Sequence, residues 1–286
     1  MTGEVQTDLS IIEDNSSRFN LRGFPWWLVA IIGFLVSMLV LIMTNSDFNR
    51  AFNFIKGEFG GIDGFQAGGM AGFIGTGITI TIYTTLVAFA FSLVIGLLAG
   101  LGRVSTNVFV RNIAITYIEF IRGVPTLVLI FTVALVIVPA VSDAIGISGQ
   151  SISTNARGII ALSIIYGAFL AEVFRAGIES VPLGQTEAAR SLGLNGGQAM
   201  RHVVLPQAIR NVLPALGNDF IAMLKDSSLI SVLAVRDITQ MARLHAGSTF
   251  RFRESYLVLT FLYLTMTIAL SLFLRWYEKR LRQNAR

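Results

Sequence analysis

The chain has 286 residues, is 53% hydrophobic and only 14% charged, and carries a formal net charge of +5 with a mean hydropathy of +0.68. A soluble domain of that size needs more charge to cover its surface, so the composition excludes one and points to an all-α integral membrane protein, its positive charge fitting basic cytoplasmic loops rather than nucleic acid. With no cysteine, and with His202 and His245 as its two isolated histidines, it excludes disulfides, thiol chemistry and cysteine-ligated metal, and leaves no metal-ligand spacing.

The apolar residues fall into runs of the roughly 20 residues needed to cross ~30 Å of hydrocarbon. The first, Trp26 to Met43, is uncharged and opens on an interfacial aromatic pair, Trp26-Trp27. The tail before it, residues 1–25, holds Glu4, Asp8, Glu13 and Asp14. It is too acidic for a secretory signal, so 26–43 reads as a retained helix. Residues 44–75 become glycine-rich from Gly60 onward. No Gly-Lys-Ser/Thr follows, and the segment reads as a flexible extracytoplasmic loop rather than a phosphate cradle. The second run, Thr76 to Gly102, places Gly96 and Gly100 at the spacing that lets helices approach closely. The third, about Asn112 to Ala140, breaks near Gly123-Val124-Pro125. The fourth covers Gly158 to about Phe174. The fifth, Val212 to Val235, is interrupted by Lys225-Asp226-Ser227-Ser228, and the sixth is Tyr256 to Leu274. A basic tail, 275–286, holds Arg275, Lys279, Arg280, Arg282 and Arg286.

Basic loops face the cytoplasm. With six spans, both termini then lie inside, together with Arg18 and Arg22, the loop holding Arg103 and Arg111, and the loop holding Arg190, Arg201 and Arg210. One stretch conflicts: Arg236 to Glu254 faces out, yet contains Arg236, Arg243, Arg251 and Arg253 against Asp237 and Glu254.

The loop 184–210 carries its own local program. Gln185 to Leu192 is rich in helix formers. Gly193 can end that helix in a left-handed conformation, Asn195 can cap a second helix from Gly196 to Leu205, and Pro206 suits the first turn of a third. The expected product is a helix-turn-helix elbow outside the bilayer, with Met200, Val203 and Val204 forming an exposed apolar edge that needs a partner.

Its spacing is Glu187-Ala188-Ala189, three residues, Gly193, nine residues, Val203, one residue, then Leu205-Pro206. This resembles the loop by which membrane subunits of ATP-binding-cassette importers dock on their ATPases. Further blocks appear in order: Ile118 to Pro125 with Arg122-Gly123-Val124-Pro125, Ala171 to Ile178, Pro182-x-Gly184-Gln185-x-Glu187-Ala188-Ala189, Leu205-Pro206-Gln207-Ala208, and Lys225-Asp226-Ser227-Ser228-Leu229. Over about residues 70 to 280 the chain is similar to permeases of the binding-protein-dependent importers, most of all the polar amino acid (histidine, glutamine, glutamate) branch. Val203 stands where isoleucine is usual, and Ser227 where threonine is common. The resemblance implies a five-helix type I importer core within the permease domain 76–274, with 26–43 as an added helix, in the bacterial inner membrane. It implies coupling roles for Glu187, Ala188, Ala189, Gly193, Leu205 and Pro206. The implied partners are a cytoplasmic ATPase dimer, a second permease that is a related chain or an identical copy, an extracytoplasmic amino-acid-binding protein and a polar amino acid. ATP and magnesium belong to the ATPase. This chain carries no cofactor or metal of its own in that scheme, and none of Lys56, Lys225 and Lys279 follows a glycine as a P-loop requires.

Ionisable residues inside a span cost about 2.5 kcal/mol or more at the centre, so they line a cavity or pair. Glu119 and Arg122 share a helix face, as do Glu172, Arg175 and Glu179, while Lys225 and Asp226 lie at the break of the fifth run. They either meet the ammonium and carboxylate of a passing amino acid or neutralise one another between helices. The alternatives are an ATP-independent secondary transporter or channel, a membrane enzyme and a structural subunit. The first lacks a visible inverted repeat, and the second lacks a nucleophile or metal constellation.

Overall fold

The computed structural model describes residues 26–56 and 76–283. The acidic residues of the N-terminal tail, Arg18, Arg22, the glycine-rich stretch from Gly60 and Arg286 lie outside the described residues.

Every described element is helical. Helix α1, Trp26–Thr44, turns by 102° at Asn45 into α2, Ser46–Lys56. Helix α3 is Thr76–Arg103 and α4 is Val108–Gly123, capped by Asn107, whose Oδ1 accepts from Phe109 N at 2.9 Å. Helix α5 is Thr126–Ala144 and α6 is Thr154–Glu179. The loop between the two halves of the chain forms α7, Leu183–Ser191, and α8, Gly196–Ala199. A π turn, Met200–Val204, carries α8 into α9, Leu205–Asp226, which tightens into a 3₁₀ segment, Ser227–Leu233. Helices α10, Ile238–Thr249, and α11, Phe252–Gln283, complete the chain. The end bearing α7 and α8 is called inner below, and the opposite end outer, after the bias of the basic loops.

Four of these helices, α3, α5, α6 and α11, are long and apolar enough to cross a membrane, and α1 with α2 qualifies as a bent pair. The remaining expected segment, α9, is a helix of the right length but carries Arg210, Asn211, Asn218, Asp219, Lys225 and Asp226. It packs on α6, α3 and α11, and of these groups Asp219 and Asp226 are half-buried while Arg210, Asn211, Asn218 and Lys225 are exposed.

Prolines explain the irregular turns. Val124, before Pro125, is pushed into an extended conformation (φ −114°, ψ 138°) and separates α4 from α5. Pro139 and Pro206 lack the donor that an α-helix requires. Immediately before each, the helix widens into a π turn, with Val138 N bonding Val133 O and Leu205 N bonding Met200 O. The expected break at Leu205-Pro206 is therefore a bulge in a continuous helix.

The deepest packing is between α3 and α6. A Cβ on Gly96 would lie 2.7 Å from Leu170 Cβ, and one on Gly100 would lie 2.9 Å from Ala171 O, so both glycines are the condition for this close approach. Around it, Ile121, Ile130, Leu162, Ile165, Met223 and Ile230 form a common core across α4, α5, α6, α9 and the 3₁₀ segment.

The outer end corrects the picture of 44–75 as a loop throughout, because its first part is helical. Phe48, Ala51 and Ile55 recur on one face of α2 and are buried against Ile238, Ala242, Val258 and Leu262 of α10 and α11. Asp47 on α2 bonds Arg251, and Arg253 Nη2 lies 3.1 Å from Glu254 Oε1. The basic stretch 236–254 does stand opposite the elbow. Part of its charge is neutralised in place, which lowers its weight in the topological bias.

Candidate functional site

Three groups of polar residues occupy successive levels of the bundle. At the inner end, α6 runs through Ser180-Val181-Pro182 into α7, and α7 folds back on the π turn. Gly193 adopts φ +87°, the left-handed conformation that glycine tolerates without strain, and its N–H bonds Arg190 O at 2.9 Å. Asn195 and Gln198 then form a reciprocal capping box, each side-chain bond 2.9 Å long. Glu187, Ala188 and Pro206 are exposed, Leu205 is half-buried and Ala189 is buried. The expected apolar edge is not the one observed. Val204 is buried and Met200 and Val203 are half-buried, since Met200 and Val204 pack with Ile178, Val181 and Ala208 to fasten the elbow to α6 and α9. The open apolar surface belongs instead to Leu183 and Leu192, 79% and 84% exposed.

Just above the elbow, α3, α4 and α6 share a ladder of alternating charge. Arg103 bonds Glu172 and lies 3.6 Å from Glu119. Glu172 also accepts from Arg175 Nε at 3.1 Å, and Arg175 bonds Glu179 in turn. Of the charges expected in a pathway, Glu119, Glu172 and Arg175 are thus brought together. Arg122 is not: it is exposed, and among the described residues it forms no recorded ion pair. Glu119 turns to Arg103 instead, which removes the expected pairing along α4.

The third group lies where α9 becomes 3₁₀. Lys225 is exposed, while Asp226 is half-buried and accepts from Tyr166 Oη at 2.8 Å. Asp219, two turns earlier on α9, is also half-buried. Among the described residues this group shares no bond with the ladder, so five of the six expected pathway residues divide between two levels and Arg122 joins neither. Arg103 and Tyr166 were missed in the sequence. The first closes an apolar run and reads there as a topological charge, and the second is one aromatic in a buried stretch.

At the outer end, Asp237 is fully buried and caps α10 by accepting from Gln240 N at 2.9 Å. Burial pushes its carboxyl up to about 6. His245 Nδ1 lies 2.8 Å from Ser255 Oγ, and burial holds this imidazole below its usual pKa.

Solved structures share this arrangement. A crystal structure of an amino acid ABC transporter with histidines matches with a TM-score of 0.62 at 38% identity, over 71% of this chain and 92% of that one. The inward-facing MetNI methionine ABC transporter matches in fold, with a TM-score of 0.58 at 20% identity over 73% and 94%. The helical bundle with its inner elbow is that of the transmembrane permease of an ABC importer. Residues 92–283 match the family described as the binding-protein-dependent transport system inner membrane component, and the chain belongs to that family. A probable glutamine ABC transporter permease protein of Bacillus subtilis is 37% identical, over 71% of this chain and 91% of its own. A histidine/lysine/arginine/ornithine transport system permease protein of Escherichia coli is 33% identical, over 74% and 94%. The protein is accordingly a multi-pass permease subunit of the bacterial inner membrane.

Proposed function

We propose that this chain forms half of a translocation pathway for polar amino acids, driven by a separate ATPase that docks on the α7–α8 elbow. The observation that carries the reading is the elbow itself: a left-handed Gly193, an exposed Glu187 and two open leucines, Leu183 and Leu192, at the polar end of an apolar bundle. Open apolar side chains among polar ones mark a surface for a protein partner. The ATPase supplies the bias that tips the helices between inward- and outward-facing packings. ATP and magnesium bind to that partner, an extracytoplasmic receptor delivers the substrate, and a second permease, a related chain or a second copy, completes the pore. The amino acid substrate is supported by the names of the relatives and by charges of both signs at the break of α9, the half-buried Asp226 held by Tyr166 and the exposed Lys225 beside it.

The test is purification of the tagged chain from its membrane in mild detergent. The expected result is a stoichiometric ATPase whose hydrolysis responds to polar amino acids. In Gly193→Asp, which strains a left-handed turn, transport is expected to fall at least ~5-fold, the lower end of measured couplings between sites. A chain that purifies alone and moves solute in liposomes without ATP would overturn the proposal.

A further inference from the structure

The ladder does more than neutralise buried charge, as its placement and solvation indicate. Its middle members are shielded, with side-chain exposures of 22% for Arg103, 20% for Glu172 and 29% for Arg175, whereas the end carboxylates Glu119 and Glu179 are 59% and 55% exposed. The strongest electrostatics therefore lie at Arg103 and Glu172, where water screens least. Arg103 is the last residue of α3, and it reaches two carboxylates on two other helices. Among the described residues it is the one cation bonded to α6 that also approaches a carboxylate of α4.

Two cavities border this point. One, of about 540 Å³, is lined by Arg103, Arg111 and Glu179 on one side and by the elbow residues Leu183, Thr186 and Met200 on the other. The second, of about 850 Å³, separates Glu172 and Arg175 from Arg210 and Asn211 at the start of α9. The inner end of α6 thus borders open space, while its remaining face is packed on α9, where a Cβ on Gly177 would lie 2.2 Å from Val212 Cγ1. A displacement of the elbow reaches α6 directly, because only Ser180, Val181 and Pro182 separate Glu179 from Leu183. Helix α4 touches α6 directly, where Tyr117 Oη donates to Ile164 O at 2.5 Å, and ends at the extended Val124. Two residues further along α4, Glu119 adds a charged link to α6 that runs through Arg103.

We propose that Arg103 is a positioning residue that passes movement of the elbow from α6 to α4, by holding Glu172 and Glu119 at once. A guanidinium presents several donors in a fixed fork, so it can keep one carboxylate while its distance to the other changes. The helices then shift in step, and α4 carries the shift to its junction with α5. Loss of the clamp removes the charged link from α6 to α4 and leaves the Tyr117 contact to carry the movement alone, which loosens the coupling. ATP is then hydrolysed without solute being carried. The inference rests on the reading of the elbow as the ATPase dock.

The experiment uses the complete transporter in proteoliposomes, with ATP hydrolysed per solute imported as the readout and co-purification of the ATPase as a separate one. Arg103→Gln is expected to retain the ATPase and to raise the ratio by roughly 5-fold or more, the lower end of coupling between sites. Arg103→Lys, which keeps the charge but not the fork, should recover part of it, and the exchange Arg103→Glu with Glu172→Arg should recover more than either single change. Glu119→Gln alters an exposed position that the fold does not need, and it too should raise the ratio. A wild-type ratio in Arg103→Gln or in Glu119→Gln overturns the clamp. So does a changed KM for solute at an unchanged ratio in Glu119→Gln, which would mark a substrate contact. If instead the wild-type chain carries no ATPase, the elbow reading itself fails, an outcome distinct from a docked ATPase with an unmoved ratio.

Discussion

Asp237 accepts bonds from the N-terminus of α10 while fully buried, and the burial outweighs those bonds and lifts its carboxyl to about 6 from 3.8. The folded protein therefore prefers the protonated acid more than the unfolded chain does. The sign follows from linkage: this contribution to stability is fully present below 3.8 and is lost as pH rises through about 6. His245 works in the opposite sense, since its depressed pKa costs stability as pH falls and the unfolded chain takes up the proton first. A single variant separates the two. Asp237→Asn keeps an oxygen to cap Gln240 N and cannot ionise. At neutral pH it is expected to be more stable than the parent by on the order of 2 kcal/mol, a shift of one pKa unit being worth about 1.4 kcal/mol. The gain should vanish near pH 4. Melting temperatures of the solubilised complex from pH 4 to 7 check this, and parallel profiles for parent and variant would mean that the carboxyl is as well solvated in the fold as outside it.

Among helices, what decides stability is where backbones touch. At Gly100 an added Cβ meets Ala171 O and Phe174 Cβ, both at 2.9 Å, in the contact between α3 and α6. Gly100→Leu is expected to destabilise by about 1–3 kcal/mol or more through overpacking. At Gly123 nothing lies within 4 Å of the same atom, and no left-handed backbone is recorded there. Gly123→Ala should be neutral or stabilise by about 0.4–1 kcal/mol, by reducing the freedom of the unfolded chain. Thermal unfolding of the two variants side by side tests the pair, and equal losses would show that glycine content rather than contact matters. The spacing of Gly96 and Gly100 was legible in the sequence, as were the Val124-Pro125 break and the Gly193 turn, because each rests on the local geometry of one or two residues. The inward turn of Val204 was not legible. Val204 lies within the π turn before Pro206, whose wider repeat a 3.6-residue period does not anticipate. Arg103 was hidden for a related reason: its partners lie on two other helices, 16 and 69 positions along the chain, and neither separation leaves a periodic trace.

The molecule as a whole consists of a permease region, matched to its family from residue 92, and a preceding segment in which α1 and α2 wrap the outer end. The sequence announced α1 by its apolar run but concealed α2, whose composition is polar and whose three apolar anchors are spaced over only 8 residues, Phe48 to Ile55. Those anchors cover Ile238 and Ala242 of α10 and Val258 of α11, and Ile55 O approaches to 2.5 Å of where a Cβ on Gly77 would lie. Helix α10 hangs directly from the 3₁₀ segment that follows Lys225 and Asp226, and Ile238 N donates to Thr81 Oγ1 at 3.2 Å. The outer half of the broken span is thereby braced by a helix outside the matched family region, while the inner elbow is held by a separate apolar cluster. Phe48→Ala removes the largest anchor of the brace, and large-to-small changes of that kind cost about 3–5 kcal/mol in a core. Because the two clusters share no residue, the loss should stay local. Hydrogen exchange is expected to quicken across 227–249 and to remain at its parental rate across 183–205, with the ATPase still bound. Faster exchange at both ends would mean that the two ends unfold as one unit, and that the brace belongs to the fold of the whole permease rather than to its outer half.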